Sequence, residues 1–214
     1  MKNTTVSVIQ DLGLRYPSLQ VLEENVSAAI TMLITSYQNG NKMLACGNGG
    51  SAADALHIVG ELMKAFVLPR KLPLDMQEKI HRSSTMGAYV CANLQGALPA
   101  ISLVNEVSLQ TAYANDMAPD LDFAQQVYGY GVKGDVLFAI STSGNSKNVI
   151  YACEVAKAKG LHIIGLTGES GGKMKDLCDV LINVPEKETY KIQEFHLPVY
   201  HTICLALENE FFGN

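Results

Sequence analysis

The stretch Ala45-Cys46-Gly47-Asn48-Gly49-Gly50-Ser51-Ala52-Ala53-Asp54-Ala55-Leu56-His57-Ile58-Val59-Gly60-Glu61 constrains this chain more than any other. A short apolar run, Met43 to Cys46, leads into a turn of glycine, asparagine and serine, and a helical pattern follows. Small turn residues let a backbone pass close to a ligand, and the N–H groups that open a helix attract anions. The i, i+4 spacing of His57 and Glu61 puts an imidazole and a carboxylate on one helix face. The stretch therefore predicts a strand–turn–helix unit with an anion site at the turn and a base or metal ligand further along the helix. A turn of this composition is often no more than a turn. The G-x-G-x-x-G dinucleotide spacing is absent, since Gly47-x-Gly49 is followed by Ala52, and no Gly-Lys-Ser/Thr makes a Walker loop. His57 alone reads as a structural histidine; paired with Glu61 behind such a turn, it becomes a functional candidate.

The remaining pattern extends the same unit. Residues 1–16 predict a short helix. From Ser18 to Gln38, Leu19, Leu22, Val26, Ile30, Leu33, Ile34 and Tyr37 recur at helical spacing, with Asn39-Gly40 as the stop. Val21, Ala28 and Met32 lie off that stripe, which points to a second packing partner at a subunit interface. Residues 1–40 thus read as an N-terminal helical arm for oligomerisation, and 41–214 as the main domain. The His57/Glu61 helix is expected to run to about Phe66 and to end before Pro69 and Pro73. Residues 69–97 form a long inserted connection, with a short helix over Asp75–Arg82 and a loop over Ser83–Gly87; the segment is either a functional flap or a disordered excursion. Further strands are expected over Ala97–Val104, Asp135–Ile140, Leu161–Leu166 and Val180–Val184. Asn115-Asp116 reads as loop, followed by an acidic patch at Asp120 and Asp122. Helices are expected over Lys147–Lys159, stopped by Gly160, and over Tyr190–Phe211. Short apolar strands separated by helices predict a three-layer α/β sandwich with a five-stranded parallel sheet covered on both faces. Ligands in such folds bind beyond the carboxyl ends of the strands.

A second turn at such an end, Ser141-Thr142-Ser143-Gly144-Asn145-Ser146, carries four hydroxyls and an amide in front of a helix. Hydroxyls and free N–H groups suit a phosphate monoester where no cation is used. Serine and threonine also cap helices, but four hydroxyls exceed what a cap requires. The last helix holds Gln193, Glu194, His196 and His201. At about 100° per residue, periodicity pairs His201 with Glu194 rather than Gln193, and Pro198 disturbs that register.

Charged residues are only 17% of the 214, against 48% hydrophobic, so much of the surface is expected to be covered by other subunits. A net charge of −5 without a Lys/Arg block argues against a nucleic-acid partner. The five cysteines are scattered in apolar contexts with no CxxC, the pattern of reduced, buried thiols in a cytoplasmic protein. No apolar run reaches membrane-spanning length.

Cys-Gly-Asn-Gly-Gly-Ser with Asp-Ala-Leu-His and Glu61, then Ile-Ser-Thr-Ser-Gly-Asn-Ser, then Ile-Gln-Glu-Phe-His-Leu-Pro-Val-Tyr-His, resemble the sugar isomerase (SIS) domain family, and within it the phosphoheptose isomerases. The resemblance covers nearly the whole chain and implies a flavodoxin-like sandwich, a homotetramer with composite active sites, and one Zn2+ per subunit. It implies His57, Glu61, Gln193 and His201 as metal ligands and Glu61 with His201 as the proton-transfer pair. It places Asn48, Gly49, Gly50, Ser51, Asp116, Ser141, Thr142, Ser143, Ser146 and Gln193 around a phosphorylated sugar. The implied reaction converts sedoheptulose 7-phosphate to D-glycero-D-manno-heptose 7-phosphate through an enediol(ate). The alternative is a non-catalytic phosphosugar-binding SIS protein, a regulator or a scaffold for the replication initiator; retention of all four ligand-type residues argues for the enzyme. Two departures stand out: the long 69–97 connection, and Tyr190 where some members carry an acidic residue.

Overall fold

The computed structural model describes residues 1–213. Five parallel strands form one sheet: β1 (Met43–Cys46), β2 (Ala100–Ser102), β3 (Val136–Ile140), β4 (His162–Thr167) and β5 (Val180–Asn183). Their order is β2-β1-β3-β4-β5. β1 is in register with β3 from Met43↔Val136 to Cys46↔Ala139. β1 and β3 are buried at every position, as a sheet covered on both faces requires. The expected α/β sandwich is the one found.

Side-chain alternation divides the core into two layers. Met43, Ala45, Val136, Phe138, Ile164 and Ile182 face one way and pack with α1 (Asn3–Arg15), α2 (Glu23–Gln38), α3 (Gly50–Met63) and α9 (Thr189–Phe212). Leu44, Cys46, Leu137, Ala139 and Ile163 face the other way and pack with α7 (Asp122–Tyr130) and α8 (Lys147–Lys159). All five cysteines are free. Among the described residues, no helix is long and apolar enough to cross a membrane.

Several boundaries differ from the sequence expectation. The helical stripe expected from Ser18 begins as a 3₁₀ segment, Pro17–Leu22, and becomes α-helix only at Glu23; Leu19 and Leu22 are buried all the same. α3 stops at Met63 rather than Phe66, because the Glu208 carboxylate takes the N–H groups of Phe66, Val67 and Leu68. The second strand shrinks to three residues, since β2 is an edge strand paired only with the short β1. Asn115 and Asp116 end a helix, α6 (Val107–Asp116), instead of lying in a loop.

Residues 69–97 are not a disordered excursion. They contain α4 (Leu74–Ser83) and α5 (Gly87–Asn93), and Gly87 brings the two together, since a Cβ there would stand 2.8 Å from His81 Cα. The base of this hairpin is pinched by a Gly96 N–H to Arg70 carbonyl bond of 2.8 Å. α4 is the short helix expected over Asp75–Arg82, one residue longer at each end, and it buries no residue on the single chain.

Candidate active site

Two glycine-containing turns meet at the carboxyl ends of β1 and β3, which are neighbours in the sheet. This is where the strand order changes direction, and α3 and α8 leave on opposite faces, so a crevice opens between them. In the first turn the backbone doubles back tightly: a Cβ at Gly47 would meet the Ser51 carbonyl at 2.6 Å, and Gly49 has φ 56°. Ser51 is buried at the start of α3, and its N–H donates to the Asn48 carbonyl at 3.0 Å.

In the second turn Ser141 and Ser146 hydroxyls lie 3.0 Å apart. Ser143 Oγ accepts the Asn145 N–H, and Thr142 stands beside them, partly buried. Ser146 occupies the N-cap position of α8 without making a side-chain cap bond, so capping does not account for its hydroxyl. Gly144, at φ 63°, lies against Gly171 and Gly172, where a Cβ would collide with the Gly171 carbonyl. The first and second turns are tied by Asn48 and Asn148, whose side-chain amides exchange two 2.9 Å hydrogen bonds. Asn148 was not singled out in the sequence; only strand order brings it to Asn48. Asp122, expected as surface acid, opens α7 with Oδ1 buried, and the Asn148 amide helps offset the burial that raises its carboxyl.

α9 runs alongside α3. Gln193 packs on Gly50, where any Cβ would overlap its amide. Further along, the His201 ring meets His57 edge to face at 5.0 Å, with Phe66 on its other flank at 5.4 Å. His57 Nε2 is 3.3 Å from Glu61 Oε1, and Lys64 Nζ is 2.9 Å from Glu61 Oε2. Burial first, and then the neighbouring His57, pushes His201 below the usual histidine range, against the pull of Glu61. Helical periodicity pairs His201 with Glu194, but Glu194 is exposed, whereas Gln193 and His201 both face α3. Two helices packed over several turns follow each other's surface, which absorbs an azimuthal offset that a straight helix would retain.

His57, Glu61, Gln193 and His201 thus line one seam between α3 and α9. Their donor types suit zinc, which takes imidazole nitrogen and carboxylate oxygen. His201 Nε2 is a buried ring nitrogen with no hydrogen-bond partner, the state of a donor awaiting a ligand. Among the described residues no three His, Cys, Asp or Glu side chains form a ready-made cluster; His57 Nε2 is turned to Glu61. Asp116 is exposed at the end of α6 and accepts a hydrogen bond from the side chain of its neighbour Asn115. Tyr190 is 58% exposed, with Lys191 over its ring.

Comparison with known proteins agrees with this architecture. The SIS domain model matches residues 18–83 and 81–168. Phosphoheptose isomerase from Aneurinibacillus thermoaerophilus is 41% identical over 196 residues, 92% of this chain and 84% of its own. Phosphoheptose isomerase 2 from Campylobacter jejuni is 40% identical over 206 residues, 96% of this chain and 89% of its own. The solved phosphoheptose isomerase from Neisseria gonorrhoeae superposes with TM-score 0.73 at 34% identity, covering 96% of this chain and 94% of that one. A second, from Francisella tularensis, gives TM-score 0.76 at 29% identity, covering 91% of each chain. The seam between α3 and α9 therefore sits in a chain that belongs to the SIS domain family, grouping with its phosphoheptose isomerases, and that is an enzyme of the isomerase class.

Proposed function

We propose that this enzyme isomerises a phosphorylated ketose to the aldose, with sedoheptulose 7-phosphate as substrate and D-glycero-D-manno-heptose 7-phosphate as product. The observation that carries this reading is the packing of His201 against the His57–Glu61 pair, one helix length from two anion-type turns. The phosphate would sit on the Ser51 and Ser141–Ser146 turns, at the N-termini of α3 and α8. The sugar would extend from there along α3, past Asn48, Gly49, Gly50 and Gln193, toward Glu61.

Aldose–ketose exchange moves a proton between adjacent carbons and needs a base for the carbon-bound proton and an acid for the oxygens. Glu61 is suited to take the carbon proton. His201, kept neutral by burial, is suited to carry the proton between the oxygens. The same His57, Glu61, Gln193 and His201 would hold a zinc ion, which when bound polarises the carbonyl and stabilises the oxyanion. A homotetramer in the cytoplasm completes the reading; it would cover apolar side chains such as Val21 and Tyr89, which are 72% and 66% exposed on the single chain. Asp116, exposed at the end of α6 on the single chain, would join a composite site in such an assembly.

Turnover of sedoheptulose 7-phosphate by the purified enzyme, with metal content measured before and after chelation, tests the proposal. About one zinc per chain and activity lost on chelation are expected. Turnover unaffected by removal of all metal rules out the zinc role. No turnover of this sugar with zinc present rules out the substrate.

A further inference from the structure

Glu61 lies in the last turn of α3, which ends at Met63. The last four carbonyls of a helix have no partner within it, and such ends fray. Here the carbonyls of Glu61 and Leu62 accept hydrogen bonds from the Arg70 guanidinium at 2.8 and 2.7 Å. A third N–H of the same group donates to Glu208 Oε1 at 2.8 Å, and both side chains are fully buried. The Phe212 ring covers the face of the guanidinium at 4.8 Å. Three donors bound to three acceptors fix the plane of the rigid fork. A cation at this place also meets the negative end of the helix.

Glu208 extends the arrangement to the second proton carrier. It follows His201 on α9 by about two turns. Its carboxylate accepts the N–H groups of Phe66, Val67 and Leu68 at 2.7, 2.8 and 3.0 Å. Phe66 in turn rests its ring on His201, with 5.4 Å between centroids. The ion pair thus acts on the backbone under Glu61 and on the ring beside His201. The Glu61 carboxylate itself is paired with His57, on the same helix, and with Lys64, whose side chain is 61% exposed. An exposed pair of this kind fixes little, and both partners move with the end of α3. The backbone that carries the carboxylate therefore sets its position.

We infer that Arg70, locked by Glu208, is a positioning residue for the isomerisation: it holds the last turn of α3 so that the Glu61 carboxylate keeps its place relative to His201. The inference rests on the isomerase reading for its purpose. Abstraction of a carbon-bound proton needs the base at near-contact distance, and a displacement of about 1 Å costs about 10²-fold in rate. Arg70 acts on that distance and not on the phosphate turns at the other end of α3. Its loss is therefore read in kcat and not in KM.

The test compares the full-length wild type with Arg70→Lys and Glu208→Asp, assayed on sedoheptulose 7-phosphate well below the melting temperature of each. Lysine keeps the buried charge opposite Glu208 but is a point charge on a flexible stem, without the planar fork. Aspartate keeps the other charge with a shorter reach. Each variant is expected to lower kcat by about 10–100-fold and to leave KM within about twofold. A folded Arg70→Lys with wild-type kcat overturns the inference, since a pair needed only for stability lowers the melting temperature and leaves the turnover of the folded enzyme unchanged. A raised KM at wild-type kcat overturns it as well. If Arg70→Lys does not fold, Glu208→Asp decides by the same criteria. A wild type that turns over no sugar phosphate ends the isomerase reading, and hydrogen–deuterium exchange then decides the rest. The N–H groups of residues 60–63 are expected to exchange about tenfold faster in Arg70→Lys. Unchanged exchange there overturns the hold of Arg70 on α3.

Discussion

Asn48 and Asn148 exchange two 2.9 Å hydrogen bonds across the crevice between the two turns. They join the end of β1 to the first turn of α8, and Asn148 Oδ1 also accepts the Val149 N–H. An anion seated between the turns would lie against this pair. Asn148→Asp keeps the shape and adds a like charge, worth on the order of 1–2 kcal/mol against a phosphate at short range near the surface. KM for the phosphorylated sugar should rise about tenfold, with the melting temperature within a few degrees of wild type. Steady-state kinetics with an unchanged KM would remove the anion from this crevice.

Glu61 and His201 are the proposed proton carriers, and each should be needed for the chemical step. Glu61→Gln and His201→Ala are expected to lower kcat by on the order of 10²–10⁴ and to keep the far-ultraviolet circular dichroism of the native enzyme. Either variant retaining wild-type kcat would refute its role.

The buried pair Arg70 and Glu208 fixes the end of the His57/Glu61 helix. Both side chains are fully buried, 2.8 Å apart. Arg70 also donates to the Leu62 and Glu61 carbonyls at 2.7 and 2.8 Å. Burial opposes ionisation of Glu208, but the N–H groups of Phe66, Leu68 and Val67 and the Arg70 guanidinium outweigh it and hold the carboxyl below its usual range. Removing one partner leaves a charge buried and uncompensated, so Arg70→Met should cost about 3–5 kcal/mol, read from urea unfolding. A loss under about 1 kcal/mol would show that water reaches the pair.

His196 sits on α9 with no solvent exposure and neither ring nitrogen hydrogen-bonded. Burial pushes it from 6.5 down to about 4, with the Thr167 backbone opposing weakly. Between those values the unfolded chain binds the proton and the native one does not, so stability rises with pH across the window. The penalty is absent above about pH 7 and complete below about pH 4, where it reaches about 3 kcal/mol. His196→Leu should flatten the stability profile between pH 6.5 and 4. An equally steep profile in the variant would assign the slope to other groups.

The hydroxyl turn depends on a glycine contact. Gly144 and Gly172 both have positive φ, and each would drive a Cβ into the other's segment. Gly172→Ala should destabilise the protein by more than about 1 kcal/mol and raise KM for the phosphosugar more than it lowers kcat. A variant with wild-type KM and melting temperature would show that the turn adapts.

The amino-acid sequence by itself determined what is local. Helical spacing sets His57 and Glu61 on one face of α3, and glycine at Gly49 and Gly144 permits the turns at the strand ends, because both depend only on backbone periodicity and φ. Apolar runs separated by helices were enough for a covered parallel sheet. Tertiary structure alone decided which elements meet. Strand order makes β1 and β3 neighbours and so brings Asn48 to Asn148. Helix packing selects Gln193 over Glu194. Arg70 meets Glu208 across 138 residues of chain. Within residues 69–97 the short helix read over Asp75–Arg82 is α4, whereas α5 was not legible: its seven residues bury only Gly87, too few turns to display a hydrophobic period.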